Sequence, residues 1–194
     1  MNNFALKNLV LIGASTGGPG QIEKIITSLP KLHNTTIIIA QHMVQGFMIS
    51  FASRLKNSSA NPIDVVQNNQ TLKNGYIYLC EGKTQLKKSG YELLLTYEAA
   101  SPNSFNPDIN TLFNSFLPLC RDVNILSIIL TGIGDDGVHA CKELSLNGAT
   151  CITESASSAI VDGMPSRARL LVPNIEVEDM NTIVNKINKF VNNV

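Results

Sequence analysis

Apolar positions in this chain fall alternately into short unbroken runs and helical stripes. Leu9 to Ile12 is a brief apolar run stopped by Gly13. Beyond the glycine cluster, Ile22, Ile25, Ile26 and Leu29 recur at helical spacing, which predicts a strand, a tight loop and a helix. Thr36 to Ala40 is a second, β-branched run, after which Phe47, Phe51 and Leu55 fall four apart and predict one apolar stripe on a helix ending near Lys56. Between Pro62 and Tyr97 the pattern changes to short strands with turn signals at Asn74-Gly75 and Ser89-Gly90. Tyr76 to Cys80 and Tyr91 to Thr96 are the two arms of the hairpin expected there. After a polar loop at 101–107, Ile109, Leu112, Phe113, Phe116 and Leu117 mark a helix that Pro118 ends or kinks. Ile125 to Leu130 then reads as a buried strand, followed by a Gly-rich turn from Thr131 to Gly137, a helix through Leu146 and a strand from Ala149 to Thr153. Met180, Ile183, Val184, Ile187, Phe190 and Val191 give the clearest amphipathic helix. Fully apolar strands alternating with helices predict an α/β fold: a doubly wound, mostly parallel sheet with helices on both faces and a small antiparallel hairpin attached.

Composition narrows the functional classes. A chain of 194 residues, 44% of them apolar, suits a single compact domain over residues 1–194. Fifteen basic residues balance 15 acidic ones, and no run of like charges offers the electrostatic footprint that nucleic-acid binding needs. No stretch approaches the roughly 18 to 20 unbroken apolar residues of a membrane span, and Met1 to Asn8 lacks the features of a signal peptide. The expectation is a cytoplasmic protein that does not insert into membranes. Cys80, Cys120, Cys141 and Cys151 form no CxxC pair and stand at no metal-finger spacing from a histidine, so they read as reduced, mostly buried thiols. No metal or cofactor is expected.

Sites in open α/β sheets gather at the C-terminal ends of the strands. Three reactive groups follow strand-like runs directly: Ser15, His42 and the Asp135-Asp136 pair. Ser15 lies in Gly13-Ala-Ser-Thr-Gly17, a match to G-x-S-x-G, in which small neighbours let a strained serine project its oxygen. Each group also has a plainer reading: Ser15 or Thr16 as a helix cap, His42 as a structural histidine, either aspartate as a cap. His33 and His139 fit the plain reading better. Together the three gain weight, because a serine nucleophile needs an imidazole to take its proton and a buried carboxylate to orient that imidazole. The order Ser, His, Asp is not that of α/β-hydrolases, and only one strand precedes Ser15, so the motif does not imply their fold. Nucleotide binding is the competing class, but G-x-G-x-x-G read from Gly13 requires glycine where Ser15 stands, and no P-loop ending is present. A metal hydrolase would need a motif such as H-E-x-x-H, which is missing. The residues by themselves do not choose between Asp135 and Asp136.

Four motifs carry a resemblance that runs from Leu9 to about Phe190. They are Ile12-Gly-Ala-Ser-Thr-Gly-Gly18; Gln41-His-Met43 with Gly46-Phe47 and Ser50-Phe-Ala-Ser-Arg-Leu55; Thr131-Gly-Ile-Gly-Asp-Asp-Gly137; and Gly163-Met-Pro165. In this order they resemble the catalytic domain of the bacterial chemotaxis protein-glutamate methylesterases. The resemblance implies a Ser15, His42, Asp136 triad that hydrolyses glutamate methyl esters on the cytoplasmic helical region of chemoreceptors, with deamidation of receptor glutamines in some members. An oxyanion hole from the backbone N–H of Ile133, with Thr16 and Gly134 in support, is the expectation that goes with it. A non-catalytic receptor-binding protein of the same fold is the other class. The chain departs from the family pattern in having Ile133 where methionine is usual, and Phe105-Asn-Pro-Asp-Ile-Asn110 where Arg-Pro-Ser-Val-Asp is commoner. Most members also carry an N-terminal receiver domain. With the first strand at Leu9 there is no room for one, so activity without phosphorylation in cis is expected.

Overall fold

Every residue of Asn8–Ala14 (β1) is buried, as continuous apolar runs require of a strand covered on both faces. A computed structural model describes residues 6–44, 46–101 and 104–192. The first five residues, and positions 102 and 103 of the expected polar loop, lie outside the described residues. After β1 come helix α1 (Gly18–Ser28), the fully buried strand β2 (Thr35–Gln41) and helix α2 (Phe47–Lys56). Five short strands follow: β3 (Ile63–Val65), β4 (Gln70–Thr71), β5 (Ile77–Leu79), β6 (Lys83–Ser89) and β7 (Glu92–Glu98). Helix α3 (Ile109–Asn114), strand β8 (Asn124–Ile129), helix α4 (Val138–Leu146) and strand β9 (Thr150–Glu154) continue the alternation. Helix α5 (Gly163–Leu171), strand β10 (Glu176–Glu178) and helix α6 (Met180–Asn192) complete it.

Seven strands form one sheet in the order β10-β9-β8-β1-β2-β5-β3, and all its pairings are parallel. Side chains alternate across it. Leu9 and Leu11 pack with Phe113, Val138 and Met164 on one face, beneath α3, α4 and α5. Val10 and Ile12 pack with Ile22, Phe51 and Ile183 on the other, beneath α1, α2 and α6. The doubly wound reading therefore holds. No helix among the described residues is long and apolar enough to cross a membrane.

The appendage differs from its expected form. Ile77–Leu79 does not pair with the Tyr91 to Thr96 segment; it joins the main sheet between β2 and β3. The hairpin partner is β6, paired from Lys83↔Glu98 to Ser89↔Glu92, and β4 adds a third antiparallel strand. Polarity hid β6: its sequence Lys-Thr-Gln-Leu-Lys-Lys-Ser carries only one apolar residue, because much of the strand faces solvent. On α2 the expected stripe holds at Phe51 and Leu55, but its first position is taken by Met48 in place of Phe47. Met48, Phe51, Ala52 and Leu55 are buried, while Phe47 is 63% exposed. Helix α3 stops at Asn114, and Pro118 sits inside a separate 3₁₀ turn at Leu117–Leu119. Helix α5 and strand β10 were unforeseen in the apolar pattern: α5 buries only Met164, Pro165 and Ala168 and is interrupted by Ser166, Arg167 and Arg169, and β10, Glu-Val-Glu, is a largely exposed strand at the edge of the sheet.

From β1 the chain moves outward through β2 toward β3, then crosses back to place β8 on the other side of β1. Such a reversal opens a crevice at the C-terminal ends of the strands beside it. Ser15 directly follows β1 at this point, and the turn containing Asp136 follows β8.

Candidate functional site

The backbone of Ser15 is held from three directions. Its N–H donates to the Thr131 carbonyl at 2.9 Å, while its own carbonyl accepts from the Gly18 N–H at 2.9 Å and from Gln41 Nε2 at 2.8 Å. The sharp backbone geometry expected of the serine falls instead on Gly17, at φ 87°, which caps α1 without a side-chain hydrogen bond. Glycine takes that left-handed conformation at no steric cost, so Ser15 stays outside it and neither Ser15 nor Thr16 acts as the cap. Thr16 is exposed, and its carbonyl accepts from the Thr131 hydroxyl at 2.8 Å.

His42 stands one rung beyond the Ala14↔Gln41 pair of β1 and β2, so adjacent parallel strands deliver Ser15 and His42 side by side. The His42 N–H donates to the Ala14 carbonyl at 2.9 Å. Gln41, buried between them, donates from Nε2 to both the Ser15 and the His42 carbonyls at 2.8 Å. The His42 ring makes two contacts. Nε2 lies 2.8 Å from Asp136 Oδ2, and the ring stacks on Phe105 with centroids 5.0 Å apart and planes 2° from parallel.

Asp136 is 1% exposed. Besides His42, its carboxylate accepts the backbone N–H of Ile109 at 2.9 Å and of Asn110 at 3.0 Å, both in the first turn of α3. Those N–H groups have no partner within the helix, and the helix N-terminus favours a negative charge there. Asp135 points into solvent, so the pair that looked equivalent in sequence is separated by burial.

The turn after β8 runs beside the serine. A Cβ added at Gly132 would stand 2.6 Å from the Ser15 Cβ and would collide with Met164 Sδ, so only glycine lets this backbone approach. Gly132 is fixed on both sides: its N–H donates to Val161 at 2.9 Å and its carbonyl accepts from Met164 at 2.8 Å. Ile133 follows with its side chain 66% exposed, and Gly134 takes φ 88°. A donor role for the Ile133 backbone is therefore independent of which side chain it carries.

Four residues around the site went unassigned from sequence. Gln41 and Glu154 each follow directly on a buried strand run that holds nothing more polar than threonine or cysteine, and a long polar residue in that place was the available signal. Phe105 and Asn106 sit in the segment that departs from the family pattern. The Asn106 carbonyl accepts the Met43 N–H at 2.9 Å, and its Nδ2 donates to the Met43 carbonyl at 3.0 Å, tying the loop to the residue after His42. Cys80, Cys141 and Cys151 are buried free thiols and Cys120 is a half-buried one. Among the described residues no group of three or more His, Cys, Asp or Glu could hold a metal ion.

Glu154 is fully buried, and burial raises its pKa above the ordinary glutamate value despite the donors around it. Between the unfolded value, about 4.3, and the raised folded value, the native state binds more protons than the unfolded chain. This contribution to stability is thus present at low pH and lost as pH rises through the folded pKa. Glu154→Gln should flatten that part of the profile, read as melting temperature against pH; identical slopes for the two proteins would contradict it.

Ser15, Thr16, Gln41, His42 and Phe47 line one open cleft of about 380 Å³. Residues 10–187 match the family model described as CheB methylesterase. Over 169 residues the chain is 34% identical to protein-glutamate methylesterase/protein-glutamine glutaminase 2 of Carboxydothermus hydrogenoformans, covering 84% of this chain and 48% of the relative. It is 36% identical over 167 residues to the protein-glutamate methylesterase/protein-glutamine glutaminase of Oceanobacillus iheyensis, covering 84% and 47%. The chain thus spans about half the length of these curated relatives. The crystal structure of the Thermotoga maritima CheB methylesterase catalytic domain superposes with a TM-score of 0.84 at 26% identity, covering 94% of this chain and 98% of that one. With most of its length matched to the family model and the same fold in a solved member, the chain belongs to the CheB methylesterase family.

Proposed function

We propose that this chain acts in the cytoplasm as one catalytic unit that hydrolyses glutamate methyl esters on the helical region of chemoreceptors, with Ser15, His42 and Asp136 as its triad. The observation that carries the reading is an imidazole backed by a buried carboxylate, sharing a cleft with a serine at the switch point of the sheet. Asp136 engages Nε2, so Nδ1 is the ring nitrogen that takes the Ser15 proton, the reverse of the chymotrypsin arrangement. Ser15 Oγ attacks the ester carbonyl as His42 accepts its proton. The tetrahedral oxyanion is met by the Ile133 N–H, with Thr16 and Gly134 shaping the turn around it. The C–O bond to the methoxy group breaks and His42 returns the proton, releasing methanol. Water then attacks the acyl-enzyme, giving up a proton to His42, which passes it to Ser15 Oγ as the glutamate carboxylate departs. The relatives' double name includes a glutaminase. On a glutamine side chain the same steps release ammonia.

Methanol release from membranes bearing methylated receptors tests the reading. Turnover by the wild-type chain supports it, and binding without turnover would favour the non-catalytic alternative. Gly132→Ala should lower the rate by about 100-fold, because the added methyl displaces Ser15 by a fraction of an ångström or more. An unchanged rate would mean that the turn after β8 is not set against the nucleophile.

A further inference from the structure

Two acids are fully buried among the described residues, Asp136 and Glu154, and the proposed chemistry uses only the first. Glu154 closes β9 beneath the serine turn. Its Oε2 accepts the Thr131 N–H at 3.1 Å; its Oε1 accepts Gln21 Nε2 of α1 at 2.6 Å and the Ser158 hydroxyl at 2.8 Å. Ser158 Oγ in turn accepts the Met180 N–H at 3.0 Å, at the start of α6. The nearest other charges are taken up by each other: Arg169 Nη2 meets Asp162 Oδ2 at 2.6 Å, while Nη1 reaches only the Glu154 backbone carbonyl, at 2.9 Å.

Thr131 carries this anchorage to the site. Its carbonyl holds the Ser15 N–H, and its hydroxyl donates to the Thr16 carbonyl and accepts the Val161 N–H at 2.8 Å. Two hydrogen bonds therefore separate the Glu154 carboxylate from the backbone of Ser15. We infer that Glu154 is a positioning residue for the nucleophile: it fixes Thr131, and Thr131 sets the height of Ser15 and of the adjoining turn. The inference rests on the serine mechanism proposed above.

Hydrogen bonding, not charge, is what the arrangement requires. Gln21 Oε1 is buried with no hydrogen-bond partner, so the Gln21 amide is able to reverse. In Glu154→Gln the new Oε1 keeps the Thr131 N–H, while the new Nε2 donates to the reversed Gln21 and to Ser158 Oγ. In Glu154→Met a side chain of similar length removes every acceptor and leaves the Thr131 N–H unpaired.

The test compares kcat and KM for methanol release by wild type, Ser15→Ala, Glu154→Gln and Glu154→Met, with thermal unfolding as the check on folding. Glu154→Met is expected to lose about 100-fold in kcat with KM within about twofold, and Glu154→Gln to stay within about threefold of wild type. A Ser15-dependent wild type matched in kcat by Glu154→Met would overturn the inference and leave the mechanism standing. An inactive or Ser15-independent wild type overturns the mechanism and the inference with it. A Glu154→Gln loss as deep as that of Glu154→Met would assign the effect to charge and overturn positioning by hydrogen bonds. If Glu154→Met does not fold, Thr131→Val replaces it: loss of the hydroxyl link to Thr16 and Val161 should lower kcat about tenfold, and an unchanged kcat overturns the inference.

Discussion

Ser15→Ala is expected to reduce methanol release by about 10⁶-fold, the scale of loss seen when a triad nucleophile is removed. The hydrogen bonds that hold residue 15 all run through its backbone: the N–H to Thr131, and the carbonyl to Gly18 and Gln41. Alanine keeps each of them. The melting temperature should therefore stay close to that of the wild type, and the variant should still bind receptor. A residual rate within about tenfold of wild type would exclude Ser15 as the nucleophile, since neither binding nor the oxyanion donors supply the bond to carbon.

Asp136→Asn is expected to cost about 10⁴-fold. The aspartate accepts three N–H donors, from His42, Ile109 and Asn110. An asparagine has one oxygen for them. If that oxygen faces His42 and Ile109, the amide NH₂ opposes the Asn110 N–H. If it faces Asn110, the NH₂ opposes Ile109 and forces His42 to present Nε2 as an acceptor, which places the proton on the nitrogen that should receive one from Ser15. Both arrangements leave a buried donor unpaired, so some thermal stability is lost along with the rate. Asp135→Asn, on the exposed neighbour, should change the rate by no more than about threefold. Equal losses in the two variants would show that the acid had been misassigned.

The parallel sheet and its helices were legible because burial on both faces writes the strands as unbroken apolar runs. The same logic failed where burial is one-sided or shallow. β6 carries the polarity of a solvent-facing strand, β10 is a largely exposed Glu-Val-Glu edge strand, and α5 buries only Met164, Pro165 and Ala168. Phe47 fell at a helical spacing that also fits its neighbour Met48, and only the start of the helix after Gly46 decides which of the two turns inward. At the site, Ser15 and His42 could be found as reactive side chains directly after strands. The choice of Asp136 over Asp135 depended on the amino-terminal turn of α3 arriving above it, a contact between distant segments that spacing does not encode. The support from Gln41 and Glu154 was visible only as a long polar residue at the end of a buried strand, a signal that says where to look and not what the residue does.

The position of β1 between β2 and β8 has a consequence for a chain emerging from the ribosome. His42 and Asp136 lie 94 positions apart in sequence, and the acid reaches the histidine only when β8 has docked against β1. The strands that deliver the serine and the histidine, β1 and β2, both precede β8 in the chain, so until β8 is made the imidazole has no carboxylate to sit behind it. On the proposed mechanism, ester hydrolysis is therefore expected only from a chain whose central strand has gained its second neighbour.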